Sequence, residues 1–343
     1  MHQLLNTLYL TTEGAYLRLD HDTLRIEVER ETKLQVPIHH LGGIVCFGDV
    51  LVSPAALARC AQDGRFVVFL DRNGRFQARV EGPVSGNVLL RCAQYAAMRD
   101  QATTLIIARN VVGGKIQNSR QIVLRAARET DQPDDGNALR QTVEALANVL
   151  GRVPLSEDLD HLRGLEGEAA RHYFSTFDRM VREDHPTFTM NGRNRRPPTD
   201  PVNALLSFLY ALLMNDCVAA LEGVGLDPQM GFLHALRPGR AALALDLMEE
   251  LRSVFADRLA LTLINRKQVA ANQFHARPGG AVHLEDAARK EVIVAYQKRK
   301  QEEITHPVLN QKMPLGLVPH VQARLLARVL RGDLEAYPPF LYR

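Results

Sequence analysis

Cysteine is scarce and scattered: Cys46, Cys60, Cys92 and Cys217 form no CxxC pair and no dense framework. That excludes a disulfide scaffold, argues against a structural zinc site, and fits a reducing cytoplasm. No basic region precedes the apolar residues of MHQLLNTLYLTTEGAYLRLD, so the start does not read as a signal peptide. The longest strongly apolar run, Ala204 to Met214, is bounded by Asn203 and by Asn215 and Asp216. It is too short to span a bilayer and reads as a buried helix, so no membrane partner is expected. Internal repeats and low-complexity tracts are also lacking. No G-x-G-x-x-G follows a strand, and VVGGKIQ (111–117) lacks the Walker spacing and its Ser/Thr, so nucleotide binding is unsupported. No Ser or Cys stands in a nucleophile motif. His39-His40 and His275 with His283 are too loosely spaced for zinc and read as structural. The charge excess is small, 42 Lys+Arg against 39 Asp+Glu, or +3 at pH 7. It permits an acidic partner such as nucleic acid without requiring one.

What is present suffices for a two-domain α+β protein: 343 residues, 46% hydrophobic and 24% charged. Strand-like alternation in LYLTT, AYLRLD, TLRIEVE, KLQVPI and GIVCFG is followed by one short helix, VSPAALARCAQDG, capped by Ser53. RFVVFLDRNGRFQARVEG then reads as a hairpin about Asp71-Arg72-Asn73-Gly74. These segments predict a mostly antiparallel β domain over 1–86, ending where Glu81-Gly82-Pro83 punctuate the chain. From Asn87 the period becomes helical, predicting a larger all-α domain over 87–343, with separate helical stretches at QATTLIIARNVV and RQIVLRAARE. Two segments interrupt it. DHPTFTMNGRNRRPPTDP (184–201) carries Arg193, Arg195 and Arg196. QFHARPGGAVHLEDAARK (273–290) reads as a short hairpin leading into a basic helix that ends in Lys298, Arg299 and Lys300.

The stretch GFLHALRPGRAALALDLMEELR (231–252) sets a histidine before an acidic helix. At 100° per residue, Leu243, Leu247, Leu251, Val254 and Phe255 share one side, and Asp246, Glu249, Glu250, Ser253 and Asp257 the other. A solvated amphipathic face accounts for that pattern. So does a metal site, because acids at i, i+3 and i+4 repel one another unless a cation relieves them. His234, bracketed by Gly-Leu-Asp-Pro (225–228) and Arg-Pro-Gly-Arg (237–240), is close enough in sequence to turn back onto the helix. In RGLEGEAARHYFSTFDRMV, Glu166 projects onto the apolar stripe of Ala170, Tyr173, Phe174, Phe177 and Val181, whereas Glu168 projects to solvent. Either Glu166 favours a helix N-terminus through the macrodipole, or it is a ligand held on a packed helix. Two carboxylates and one imidazole suit Mn²⁺ or Mg²⁺, the nitrogen favouring manganese, and such an ion serves phosphoryl chemistry. The arginine loop and the basic helix end are candidate phosphate contacts for that substrate.

The order β domain, helical domain with G-x-E-G (Gly164 to Gly167), P-x-N-A-L-L (Pro201 to Leu206), then G-F-L-H followed by A-L-D-L-M-E-E, resembles the CRISPR-associated integrase and endonuclease family Cas1. The tail ARKEVIVAYQKRKQEEITHP looks like its subtype I-C branch. The resemblance implies a metal-dependent DNA endonuclease and integrase that inserts spacers into a CRISPR array by 3′-hydroxyl attack on a phosphodiester. It also implies double-stranded or branched DNA as substrate, and a homodimer formed through the β domain. A small Cas2 partner would complete a heterohexamer-like complex. By the same resemblance the metal ligands fall on Glu166, His234 and Glu249. Asp246 is an additional catalytic acid near the site, and the choice between it and Glu249 as principal ligand stays open; Glu250 is read as solvated charge. The alternative is a non-catalytic DNA-binding scaffold that uses the basic clusters alone.

Overall fold

The computed structural model describes residues 6–72, 74, 76–80, 82, 88–182, 188–190, 192–194 and 197–342. The chain divides into two compact units, 1–86 and 87–343.

The first unit contains β1 (Asn6–Leu10), β2 (Tyr16–Asp20), β3 (Thr23–Val28), β4 (Glu31–Pro37), β5 (Leu41–Phe47), β6 (Leu51–Val52), α1 (Pro54–Gln62), β7 (Phe66–Leu70) and β8 (Phe76–Val80). They form two four-stranded sheets, in the orders β1-β5-β7-β8 and β4-β3-β2-β6. Both sheets are mixed, which corrects the antiparallel expectation. β1 with β5, β5 with β7, and β2 with β6 run parallel; β7 with β8, β2 with β3, and β3 with β4 run antiparallel. Alternation identifies a strand but not the direction of its neighbour, and here α1 supplies the crossover that the parallel β5–β7 pair needs. Ser53 Oγ accepts from Ala56 N at 3.2 Å and caps α1. Leu17, Leu24, Ile44, Val67, Ala56 and Cys60 lie in this unit's core. At the β7–β8 hairpin Gly74 takes φ +80° and donates to Asp71 O at 3.0 Å; Asn73, Glu81 and Pro83 lie outside the described residues.

The second unit contains α2 (Val88–Arg99), α3 (Gln101–Glu129), α4 (Pro133–Arg152), α5 (Leu159–Ser175), α6 (Pro201–Val224), α7 (Ala242–Glu249), α8 (Arg258–Asn265), α9 (Asp286–Gln301) and α10 (Val318–Leu330). It is not all helical. β9 (Phe274–Ala276) and β10 (Val282–Leu284) form one antiparallel hairpin, and β11 (Glu303–His306) and β12 (Gln311–Pro314) another. QATTLIIARNVV and RQIVLRAARE are parts of one helix, α3, with Gly113 and Gly114 inside it. A Cβ on Gly114 would come within 2.7 Å of Pro339 Cβ, so this glycine is a packing contact and not a loop. α3 packs against α4, α5 and α7 and forms the wall on which the candidate site is built. α6 is apolar and long, and its strongly apolar window is mostly buried inside the unit, as a core helix should be. Its N-cap is Asp200, which accepts from Asn203 N at 2.7 Å.

Candidate metal centre

α7 is buried all round. Asp246, Glu249 and Glu250 are as inaccessible as Leu243 and Leu247, which overturns the reading of this acidic side as a solvated face. The helix is also interrupted: α7 ends at Glu249, and a π-helical turn, Ser253–Asp257, joins it to α8. Wide turns of this kind re-aim the side chains that follow them.

The carboxylate of Asp246 is fully engaged. Oδ2 accepts from Phe232 N at 2.6 Å and Leu233 N at 3.0 Å. Oδ1 accepts from His234 N at 3.0 Å and lies 2.7 Å from His234 Nδ1. The loop therefore wraps the acid, and the ring is set with Nε2 3.6 Å from Glu249 Oε1. Gly231 makes the wrap possible, because a Cβ there would meet Asp246 Oδ2 at 2.7 Å and Leu243 N at 2.8 Å. Arg163 on α5 closes the loop from the other side, donating from Nε and Nη2 to Leu233 O at 2.9 and 2.7 Å.

Glu166 does not lie in a first helical turn. α5 begins at Leu159, capped by Asp158, so a macrodipole role at a helix start is excluded. Glu166 instead ion-pairs with Lys115 of α3, whose Nζ also lies 2.7 Å from Glu249 Oε2. One ammonium thus bridges the two carboxylates. Arg252 Nη2 meets the other Glu249 oxygen at 3.0 Å. Burial alone would raise the Glu249 carboxyl, but Arg252, Lys115 and His234 outweigh it and hold the group down at about 2. For Lys115 burial works towards the neutral amine, and the two carboxylates reverse it. Glu249 and Asp246 form the floor, while Glu166 and His234 keep some solvent exposure, 27% and 20% of their side chains.

The donor set fits a divalent cation. Glu249 Oε2 is buried and accepts no well-aligned hydrogen bond among the described residues, and the place between it and Glu166 is already held by a positive charge. Among the described residues no three His, Cys, Asp or Glu side chains are drawn together tightly enough to hold an ion as they stand, since the lysine lies between two of them.

Behind the site, Asp257 Oδ1 accepts from Tyr210 OH at 2.6 Å and Oδ2 from Tyr173 OH at 3.0 Å. Burial raises the Asp257 carboxyl to about 6 against the pull of both hydroxyls, and drives both tyrosines well above their ordinary value. Arg252 stacks over Tyr210 at 5.0 Å. Glu250 is not solvated charge. It accepts from Phe340 N at 2.6 Å, from Gln322 Nε2 at 3.2 Å and from Tyr337 OH, and so clasps the segment 337–342. Asn118 completes the clasp, donating to Glu250 O at 2.8 Å and Phe340 O at 2.7 Å and accepting from Tyr342 N at 2.8 Å.

Two of the expected phosphate contacts are interior. Arg299 donates to Val254 O at 2.9 Å and pairs with Glu302, and Lys300 binds Asp216 at 2.8 Å; both are buried, so both hold α9 to the core and are not surface contacts. Lys298 is exposed. Arg193 is half-buried, reaching Asn203 Oδ1 at 2.6 Å and Ser207 Oγ at 3.1 Å and stacking on Tyr210 at 5.2 Å, so it ties its loop to α6. Arg195 and Arg196 lie outside the described residues. Sequence reasoning missed Lys115, Arg163 and Arg252. For Lys115 a signal existed: Val111, Lys115 and Ser119 are spaced i, i+4, i+8, so the lysine falls on the buried stripe of α3.

Comparison with known proteins places the chain in a family. Residues 8–298 match the family model described as CRISPR associated protein Cas1. Along its full length the chain is 64% identical to a CRISPR-associated endonuclease Cas1 of Moorella thermoacetica and 53% identical to one of Rhodospirillum rubrum, covering all of each. Among solved structures it resembles a casposase bound to integration product (TM-score 0.83, 22% identity, 99% of this chain and 95% of that one). It also resembles a chain of a Cas6-RT-Cas1–Cas2 complex (TM-score 0.84, 24% identity, 99% of this chain and 36% of that one). At these identities the structures show a shared fold.

Proposed function

The chain belongs to the Cas1 family of CRISPR-associated endonucleases, and from that membership we propose how the residues of its acidic site divide the work. The protein is a CRISPR adaptation integrase and a metal-dependent DNA endonuclease. Glu166, His234 and Glu249 hold the ion, Mn²⁺ or Mg²⁺, their oxygen-rich set with one nitrogen favouring manganese. Bound there, the ion supplies Lewis acidity, lowering the pKa of an attacking hydroxyl and neutralising charge on the phosphodiester.

The observation that carries this reading is the cation bridge: one ammonium between Glu166 and Glu249, beside a histidine whose Nε2 faces the same acid. Asp246 is a positioning residue. With both oxygens occupied by three backbone N–H groups and Nδ1, it fixes the ring so that Nε2 remains the donor atom, the usual service of a carboxylate behind a ligating histidine. Arg252 holds one Glu249 oxygen, and Arg163 holds the loop that carries His234. In strand transfer a 3′-hydroxyl of the incoming DNA attacks a phosphorus of the repeat, and the repeat's own P–O3′ bond breaks. Water in place of the hydroxyl gives endonuclease cleavage. Neither route needs a covalent protein intermediate.

The substrate is double-stranded or branched DNA. Residues 1–86 form the homodimer contact, and the dimer joins a Cas2 partner in a heterohexamer-like complex; the likeness to the Cas6-RT-Cas1–Cas2 chain supports that partner. The tail ARKEVIVAYQKRKQEEITHP looks like that of the subtype I-C branch, in which we propose to place the chain, and the scattered free cysteines suit the cytoplasm.

Glu166→Ala and His234→Ala proteins should fold and bind DNA but lose strand transfer and branched-DNA cleavage with Mn²⁺. Full activity in both would sink the assignment. A DNA-binding scaffold would instead show salt-sensitive binding and no cleavage by the unaltered protein with any divalent ion.

A further inference from the structure

We infer that Lys115 is a tethered counter-cation of the acidic site, which holds Glu166 and Glu249 together until a divalent ion displaces it and then turns to the DNA phosphate. The inference rests on the metal-site reading above and adds to it a residue that competes with the ion.

Lys115 lies on the buried stripe of α3, between Val111 and Ser119, with only 13% of its side chain exposed. A lysine there needs acceptors, and it finds one on each of two helices: Glu166 of α5 and Glu249 of α7. The arrangement satisfies both sides, since two acids facing one another across a packed interior need a cation as much as the ammonium needs anions. The 2.7 Å separation from Glu249 Oε2 puts Nζ where an ion shared by these carboxylates would sit. The two cations cannot occupy that place together. Arg252 meets Glu249 Oε1 and lies over the Tyr210 ring, so the contact that joins the two carboxylates is that of Lys115.

A tethered ammonium cannot diffuse away, so ion binding must swing it out on its flexible four-carbon stem. Once released it needs another anion. A phosphodiester delivered to an ion on Glu166 and Glu249 arrives within reach of the same side chain. Lys115 therefore couples two events: it opposes ion binding to the protein alone and favours it once DNA is present.

Isothermal titration with Mn²⁺ tests this on the full chain. With the competitor removed, Lys115→Met should bind Mn²⁺ about tenfold more tightly than the unaltered protein in the absence of DNA, the factor expected when a mostly occupied site becomes free. Duplex DNA should tighten Mn²⁺ binding by both proteins, because its phosphate meets the ion, and by a larger factor in the unaltered protein than in Lys115→Met; an equal factor in both overturns the coupling. A residue that only maintained the fold would give the opposite result, weaker Mn²⁺ binding in the variant, and that result or equal affinity overturns the inference. If Lys115→Met does not fold, a structure of the unaltered protein with Mn²⁺ decides: Nζ beyond about 4 Å from both carboxylates, outside ion-pair range, is expected. An ion seated beside an undisplaced ammonium overturns it. A His234→Ala control separates the two levels. Unchanged Mn²⁺ binding in that variant removes the metal site and this inference with it, whereas lost binding there with no tightening in Lys115→Met removes the Lys115 role alone.

Discussion

Asp246 and Glu249 are three residues apart on one short helix and have different tasks because their surroundings differ. Asp246 accepts from three successive backbone N–H groups and the imidazole; Glu249 faces cations. Asp246→Asn turns one of those acceptors into an NH₂ group facing donors, so the ring loses its orientation. Mn²⁺ affinity and strand transfer should each fall by roughly 10- to 100-fold, as for other outer partners of ligating histidines, measured by titration calorimetry and a single-turnover integration assay. Asp257 gives a pH signature. Its folded value, about 6, lies above the ordinary 3.8, so the native state prefers the protonated form. That contribution is complete below 3.8 and is lost as pH rises through about 6. Two units correspond to about 3 kcal/mol. Urea unfolding at pH 4 and pH 7 should show this loss in the unaltered protein and a flatter profile in Asp257→Asn. At this scale the sequence was partly legible. Glu166 on an apolar stripe announced an acid in need of a partner, but helical projection gave Asp246, Glu249 and Glu250 one face and could not separate their tasks. What distinguishes them is contact with residues 12 to 134 positions away in the chain, Asp246 with His234, Glu249 with Lys115, and Glu250 with Phe340.

Among elements, the glycine at the start of the His234 loop is as consequential as any ligand. The Cβ of Gly231→Ala would press on Asp246 Oδ2 and on the backbone of Ala242 and Leu243 at 2.7 to 2.8 Å. None of these can yield cheaply, so the variant should lose on the order of 1–3 kcal/mol of stability, read as a lower melting temperature, and bind Mn²⁺ more weakly. The motif G-F-L-H was visible in the sequence, but the crowding that requires its glycine arises only when α7 returns beside the loop. Helix periodicity read α6 and α9 well, since each is long and patterned; it placed α5 too late, with Phe177 and Val181 of the projected stripe lying beyond the helix end at Ser175. It failed at α3, where Gly113 and Gly114 looked like a break and are packing positions, and at α7, where a π-helical turn interrupts a continuous apolar pattern. The parallel strand pairs were illegible for a related reason: direction belongs to the crossover, not to the strand.

For the whole molecule, a net charge of +3 gives no strong field, so DNA affinity has to come from particular surface cations. Burial sorts the candidates at the end of α9. Lys298→Ala should weaken DNA binding uniformly across sequences and reduce the slope of log affinity against log salt by up to about 1, the effect of one phosphate contact. Arg299→Ala and Lys300→Ala should lower the melting temperature with little effect on that slope, because each strips a partner from a buried polar group.

The clasp on residues 337–342 gives this architecture a kinetic dimension. Asn118 reaches Phe340 and Tyr342 across 222 and 224 positions of sequence, and Glu250, next to the proposed ligand Glu249, closes on the same segment. Contacts of such long range form slowly, so the turn carrying Glu249 should reach its final place in a late phase of refolding. The sequence has no tryptophan, which makes the step observable. In Y342W the new ring can keep its stacking on Arg258, and its fluorescence, free of any background indole, should change after secondary structure has formed and together with recovery of Mn²⁺ binding. The chemistry of this enzyme would then be the last thing its chain acquires.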